Sequence, residues 1–151
     1  MAELKERLRA DLNAAMRARD QVRMRTLRMA LTSITNEEVA GTSARDLTDD
    51  EVVRVLTREA RKRREAAEAF GAVGRSDQAA AERAEGEVLA GYLPAQLSDD
   101  ELAALVDAAI AETGASGLSG LGQVMKTVTP RIAGRADGAR VAAEVRRRLS
   151  G

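Results

Sequence analysis

Two residue types with distinctive chemistry, cysteine and histidine, are missing from all 151 positions of this sequence. Without cysteine there is no disulfide and no thiolate nucleophile or zinc ligand, so the chain needs no oxidising compartment. Without histidine there is no Ser-His dyad and no side chain whose ordinary pKa lies near neutral pH. The sequence therefore predicts neither the common zinc sites nor the common acid–base catalysts.

Aromatic residues are scarce, because Phe70 and Tyr92 are the only two. Apolar residues still make up 44% of the chain, so a core can form but must be aliphatic. Base stacking is therefore excluded as the main way to hold a single-stranded nucleic acid, and any such binding would rest on phosphate contacts and shape. We interpret Tyr92 as a packing residue.

Net charge and long apolar runs are absent as well. The chain has 24 basic and 24 acidic residues, so no overall field directs it to nucleic acid or to a membrane surface. No stretch reaches the roughly 18 apolar residues of a membrane span, and the N-terminal segment lacks the apolar region of a secretory signal. We expect a cytoplasmic protein without a membrane partner.

Helical periodicity runs through the whole chain, and no alternating strand pattern occurs. Two capping boxes, Thr48-Asp-Asp-Glu51 and Ser98-Asp-Asp-Glu101, mark helix starts, and Pro94 interrupts the pattern between them. We predict an all-α protein of seven helices, with an N-terminal helical domain over 1–93 and a C-terminal three-helix bundle over 98–151. The bundle core is predicted to include Leu105, Val124, Val141 and Val145.

Several helix ends are predicted from single residues. Ser76 or Asp77 is expected to open the fourth helix and Ser119 to cap the sixth. Pro130 is expected to end or kink the sixth helix. Asp137 is the predicted N-cap of the last helix.

Charge is segregated along the chain. Residues 17–28 hold five bases and one acid, and Arg61-Lys-Arg-Arg64 is a basic run that we interpret as a salt-bridged helix surface. Residues 99–112 carry five acids and no base, whereas residues 117–151 carry seven bases and two acids. The C-terminal section therefore pairs an acidic helix with two basic ones.

Motifs for catalysis or cofactors are not found. GASGLSGLG at 114–122 is not followed by the Lys-Ser/Thr pair of a phosphate-binding loop. The acids at 49–51 and 99–101 lie in first helical turns, where they complement the helix dipole. We predict no catalytic residues, no cofactor and no metal.

Three strings in the sequence are similar to the GatB/YqeY family: RTLRMALTSI at 25–34, GEVLAGYLPAQLSDDEL at 86–102 and LGQVMKTVTPRIAGRADGARV at 121–141. The family comprises small stand-alone bacterial proteins that resemble the helical tail of the B subunit of the glutamyl/aspartyl-tRNA amidotransferase. In that enzyme the tail helps to hold the misacylated tRNA, and other parts carry out the kinase, transamidase and glutaminase steps. The resemblance implies a helical domain followed by a small helical bundle. It covers none of the catalytic body, so the carbon–nitrogen ligase activity with glutamine as amide donor is expected of the complex and not of this chain alone.

The string Gly134-Arg-Ala-Asp-Gly138 has two interpretations. It is a phosphate-gripping loop, or it is a corner between two packed helices in which Gly134 is left-handed, Asp137 caps a helix and Gly138 allows close approach. The helix corner is the preferred interpretation. The resemblance implies a tRNA-binding face that includes Lys126, Arg131, Arg135 and Arg140. The basic tip of the last helix, Arg146, Arg147 and Arg148, is expected to add non-specific attraction to this face.

Two functions are therefore open. The first is a tRNA-binding or amidotransferase-related accessory module that uses these bases. The second is a protein–protein interaction module that uses the acidic 99–112 helix or the 17–28 stretch to bind amidotransferase subunits or another cytoplasmic protein. A contiguous basic patch would favour RNA, whereas bases interleaved with acids would favour a protein partner.

Overall fold

The computed structural model describes residues 2–151, and within them the chain forms seven α-helices, one short 3-10 helix and no strand. The predicted all-α fold class is therefore confirmed. The chain divides into two compact units, Met1–Leu93 and Pro94–Gly151. The α-helices are α1 Glu3–Ala18, α2 Gln21–Glu38, α3 Asp49–Ala72, α4 Ser76–Ala90, α5 Asp99–Thr113, α6 Leu121–Ile132 and α7 Gly138–Ser150, and the 3-10 helix spans Leu118–Gly120.

Both predicted capping boxes are present. The Thr48 hydroxyl accepts from the Glu51 amide, and the Glu51 carboxylate accepts from the Thr48 amide. Ser98 and Glu101 repeat this arrangement at the start of α5. A hydrogen bond from Arg45, more than any other interaction, lowers the pKa of Glu51 to about 2. Orphan amides at two helix starts are thus satisfied by residues that the sequence pattern identifies.

The first unit packs α1 to α4 around an aliphatic core. A two-residue turn joins α1 to α2, and Lys5 near the start of α1 pairs with Glu38 at the end of α2 at 2.8 Å, so the two helices are antiparallel. Helices α3 and α4 form a second hairpin. The buried core consists of Leu8, Leu27, Ala30, Ile34, Leu47, Val52, Val55, Leu56, Leu89 and Tyr92.

Tyr92, at the C-terminal end of the first unit, forms hydrogen bonds with residues of α1 and α2. Its hydroxyl donates to Asp11 at 2.6 Å and accepts from Arg23 at 3.3 Å, while the Arg7 guanidinium lies 4.7 Å from the ring centroid. Burial, followed by the bond to Asp11, raises the pKa of Tyr92 to about 12. The residue is a packing residue, as expected, and it also carries a polar network.

The second unit packs α5 to α7 against one another. Three of the four predicted core positions, Val124, Val141 and Val145, are buried, whereas Leu105 is only partly buried at the edge of the cluster. Leu105 therefore contributes less to the core than the sequence predicts. The buried cluster consists of Leu97, Leu102, Val106, Ala109, Val124, Val128, Ile132, Ala136, Val141 and Val145.

Three predicted helix ends agree with the structure to different degrees. Helix α4 begins at Ser76, as predicted, but its N-cap is Arg75 and no side chain caps it. Ser119 lies in the 3-10 turn, whose i→i+3 bonds lead directly into α6, so no hydroxyl cap is used. Of the two effects predicted for Pro130, ending or kinking α6, the first is not found: α6 continues to Ile132, because a proline near the last turn removes only one helical bond.

No helix within residues 2–151 is both long enough and apolar enough to cross a membrane.

Candidate charged interaction surface

The α6–α7 corner is built by the chain turning through two left-handed residues. Ala133 has φ 50° and Gly134 has φ 79°, so the reversal begins one residue before the glycine that the sequence indicates. Asp137 then caps α7 by accepting from the Arg140 amide at 3.0 Å, as predicted. A Cβ built on Gly138 would meet nothing within 4 Å, so the predicted close approach at Gly138 is wrong.

The segment before α5 packs onto this corner. The Leu97 amide donates to the Arg135 carbonyl at 2.8 Å, and the Gln96 side chain donates to the Gly134 carbonyl at 3.4 Å. The Leu97 side chain is buried in the core of the unit. Two of the strings that carry the family resemblance therefore contact each other, and this contact supports the helix-corner interpretation of residues 134–138.

The predicted binding residues of α6 and the corner are mostly engaged within the unit. Arg131 forms an ion pair with Glu112 of α5. Arg140 donates to Asp99 of α5 at 2.9 Å. Arg135 donates to the carbonyls of Arg131 and Ile132 at 3.3 and 3.4 Å, so its charge lies at the C-terminus of α6, where a cation complements the helix dipole.

The C-terminal arginines are engaged in a similar way. Glu144 accepts from Arg147 at 2.6 Å and from Arg148 at 3.0 Å, and Arg148 also lies 3.5 Å from Asp107. The bond from Arg147 is the main reason that the pKa of the Glu144 carboxyl lies below its ordinary value. The same contact raises the pKa of Arg147.

Lys126 and Arg146 differ from the other five predicted residues. Both are exposed, and neither makes an ion pair or a side-chain hydrogen bond with any part of the chain that the structure describes. Residues 94–151 contain seven bases and seven acids in total. The surface of this unit is therefore a mosaic in which most bases lie beside an acid.

This mosaic can recognise a partner by complementary charge. Its groups are exposed or partly exposed ion pairs and cations, and among residues 2–151 no three acidic side chains converge as metal ligands. Charge recognition is the chemistry that these side chains can perform.

A second basic region, which the predicted binding face does not include, lies at the α1–α2 corner. Arg17, Arg19 and Arg28 are exposed there and have no ion-pair partner within residues 2–151. The basic run at 61–64 behaves differently, since Arg61 pairs with Glu65 and Lys62 with Glu59, as its interpretation as a salt-bridged surface predicts. The signal for the corner was in the sequence, because residues 17–28 hold five bases and one acid.

Comparison with known proteins identifies one family. The family described as Yqey-like protein matches residues 5–149, which is nearly the whole chain. No curated protein matches the chain.

Proposed function

Because the chain belongs to the Yqey-like protein family, whose resemblance to an amidotransferase tail implies a binding role, we propose that it is a non-catalytic accessory module that docks onto another protein. One observation carries the choice of a protein partner. In residues 94–151 four of the seven bases are paired with acids and a fifth is bound to backbone carbonyls. A polyanion would meet a surface without net charge, whereas a mosaic of both signs complements another mosaic.

Exposed ion pairs contribute so little free energy that a partner's charges can replace the internal ones. A pair between solvent-exposed charges contributes about 0–1 kcal/mol, so Arg131 and Glu112 can be re-paired with partner charges at little cost. Such contacts fix register and orientation more than they add affinity. The resemblance makes the subunits of the glutamyl/aspartyl-tRNA amidotransferase the first partners to test.

The test is sedimentation velocity of the purified chain with the purified amidotransferase, using a charge swap. In Arg131→Glu with Glu112→Arg the internal ion pair is kept, but the pattern shown to a partner is inverted. We expect an unchanged melting temperature and a weakened complex. The matched control is Arg61→Glu with Glu65→Arg, which swaps an ion pair on α3 of the first unit. A complex that is insensitive to the first swap would contradict the proposal.

Binding of tRNA is the second candidate, and the unpaired Lys126 and Arg146 favour it. Three to five phosphate contacts would make the logarithm of the affinity fall with the logarithm of salt concentration by roughly 0.7–0.9 per contact. Fluorescence anisotropy with bulk tRNA between low and near-physiological salt measures this slope. Arg135→Glu with Arg140→Glu should abolish binding, whereas changing Arg146, Arg147 and Arg148 to Ala should weaken binding to any polyanion equally.

The structure adds a control to that experiment. Because Arg135 donates to the last carbonyls of α6, replacing it with Glu places a negative charge at the negative end of the helix dipole and lowers stability slightly. The melting temperature of the variant must therefore be measured beside its affinity. Glutamine-dependent amidation of Glu-tRNA by the purified chain alone would overturn the non-catalytic part of the proposal.

A further inference from the structure

The α1–α2 corner collects several arginines at one end of a helical hairpin. Because α1 and α2 are antiparallel, the last turn of α1 lies beside the first turns of α2. Arg17 lies in that last turn, Arg19 lies in the connection, and Arg28 lies at the end of the second turn of α2. Arg28 is seven residues, or roughly 10 Å, from the start of α2. The corner and the first two turns of α2 therefore carry the three arginines.

The acids near this corner are already engaged elsewhere. Asp20, the one acid among residues 17–28, uses its carboxylate to cap α2 by accepting from the Arg23 amide at 3.1 Å. Glu85 of α4 accepts from Arg25 at 2.7 Å. None of the ion pairs within residues 2–151 includes Arg17, Arg19 or Arg28. The corner thus presents positive charge that the unit does not neutralise.

A large apolar side chain accompanies these charges. Met16, directly before Arg17, is 46% exposed, although methionine is ordinarily among the more buried residues. Arginine and methionine are two of the side chains that are enriched in protein–protein interfaces relative to other surface. The corner therefore has the composition of an interface and not only a local excess of charge.

We propose that Met16, Arg17, Arg19 and Arg28 form a docking surface for an acidic protein segment that also carries an apolar side chain. The carboxylates of the segment pair with the three guanidinium groups, for which arginine has the matching planar geometry. Its apolar side chain covers Met16, whose flexible thioether adapts to different shapes. The inference rests on the proposed function as a docking module and names a partner chemistry for it.

The observations favour a protein segment over RNA. Neither aromatic residue of the chain belongs to the corner, since Tyr92 is buried and Phe70 belongs to α3, so no aromatic ring is offered there for a base to stack on. The exposed thioether of Met16 makes no favourable contact with a phosphate, but it can pack against an apolar side chain. The whole chain also has no net charge to attract a polyanion from a distance.

The experiment uses fluorescence anisotropy with the full chain and three labelled probes. The first probe is a peptide of Glu, Leu and Ala, the second has Gln in place of Glu, and the third is a single-stranded RNA of matched charge. We expect the chain to bind the acidic peptide in preference to both other probes. Changing Arg17, Arg19 and Arg28 to Glu should weaken peptide binding by at least about tenfold, as the loss of several exposed ion pairs implies.

A matched control separates the surface from net charge. Arg54, Arg75 and Arg83 are also exposed, and the described part of the chain offers their side chains no ion pair. Changing these three to Glu alters the net charge of the chain equally but should leave peptide binding nearly unchanged. Met16→Ser should lower the affinity for the acidic peptide several-fold. The dependence of this affinity on salt should stay the same, because the substitution removes the apolar contact alone.

Three outcomes would overturn the inference: equal losses in the two triple variants, equal binding of the Gln peptide, or preferred binding of the RNA. Circular dichroism of each variant checks that the helices are intact. Failure here is distinguishable from failure of the proposed function. If the Arg131–Glu112 swap still weakens the amidotransferase complex while the corner variants bind the peptide normally, only the inference about the corner is lost.

Discussion

The two helix corners of this chain share a backbone design and differ in how they use charge. At the α1–α2 corner Arg19 is left-handed with φ 57°, and Asp20 caps α2 by accepting from the Arg23 amide. At the α6–α7 corner Ala133 is left-handed with φ 50°, and Asp137 caps α7 by accepting from the Arg140 amide. In both, a left-handed residue ends one helix and an aspartate starts the next.

The difference lies in what surrounds the arginines. At the α6–α7 corner the acidic helix α5 supplies Glu112 and Asp99, which pair with Arg131 and Arg140. At the α1–α2 corner no ion pair with any acid of residues 2–151 involves Arg17, Arg19 or Arg28. A local excess of bases in a sequence therefore identifies a binding surface only after the acids of neighbouring helices have been placed.

The largest effect on stability should come from disrupting the core of the second unit, which carries the paired arginines. Val141→Asp buries an unpaired charge in the second unit and should cost about 3–5 kcal/mol. Far-UV circular dichroism should show partial loss of helix. Tyr92, the only tyrosine, lies in the first unit, so its fluorescence should be unchanged.

The matched variant in the first unit is Leu56→Asp, at a fully buried position. It should remove the Tyr92 signal and leave the helices of the second unit in place. If Val141→Asp also altered the Tyr92 signal, the two corners could not be treated as parts of independently stable units. Wild-type melting of Val141→Asp would instead show that the α7 stripe is misassigned.

Much of this fold could be predicted because its signals are local. The spacing of Val141 and Val145 and the two capping boxes depend on residues within a turn or two of one another. The pairing of Arg131 with Glu112 could not be read from the sequence, because it depends on how two helices cross. The left-handed Ala133 was missed for another reason, since the nearby Gly134 is the residue that favours this conformation.

The next effect compares the two aspartate caps. Asp137→Ala and Asp20→Ala should each lower stability by about 1 kcal/mol, because each leaves a helix amide without its acceptor. Their binding effects should differ. Asp20→Ala removes the one acid of the α1–α2 corner and should raise affinity for the acidic peptide, whereas Asp137→Ala should leave tRNA affinity unchanged or slightly higher.

Thermal melting and anisotropy together check this pair. Loss of all tRNA binding in an Asp137→Ala protein that melts normally would make residues 134–138 a recognition loop. The preferred interpretation as a helix corner would then be wrong.

Replacing the left-handed residue of each corner with glycine separates an effect on stability from an effect on binding. Arg19→Gly and Ala133→Gly should each stabilise the chain by about 0.5–1 kcal/mol, because the relief of the left-handed strain exceeds the entropy that glycine adds to the unfolded state. Arg19→Gly should also lower the affinity for the acidic peptide, whereas Ala133→Gly should leave it unchanged. Equal peptide binding by both variants would count against a role for Arg19 in docking.

A smaller effect should follow from unpairing arginines in the second unit. Glu144→Gln removes the negative charge that pairs with Arg147 and Arg148. Arg147 then lacks an ion-pair partner, like the arginines of the α1–α2 corner, and Arg148 keeps only Asp107. We expect tRNA affinity to rise roughly two- to fivefold at low salt, with the gain lost near physiological salt. An unchanged affinity would show that pairing with Glu144 does not limit anion binding.

The smallest effect concerns the two capping boxes and acid pH. Glu51 is supported by Arg45, which is the main reason that its pKa falls from 4.5 to about 2, whereas the pKa of Glu101 is lowered chiefly by the backbone bond of Ser98. A carboxyl whose pKa is lower in the folded state stabilises the fold above its unfolded pKa, and this stability is lost as the pH falls. The contribution of Glu51 should therefore be complete above about pH 4.5 and disappear by about pH 2.

The experiment measures the melting temperature of the first unit by Tyr92 fluorescence. The difference in melting temperature between wild type and Glu51→Gln should shrink as the pH falls through this interval. Glu101→Gln, followed by circular dichroism, should shift the melting temperature less, because no arginine donates to its carboxylate. A constant difference between wild type and Glu51→Gln across the interval would show that Arg45 does not hold Glu51 ionised in the folded chain.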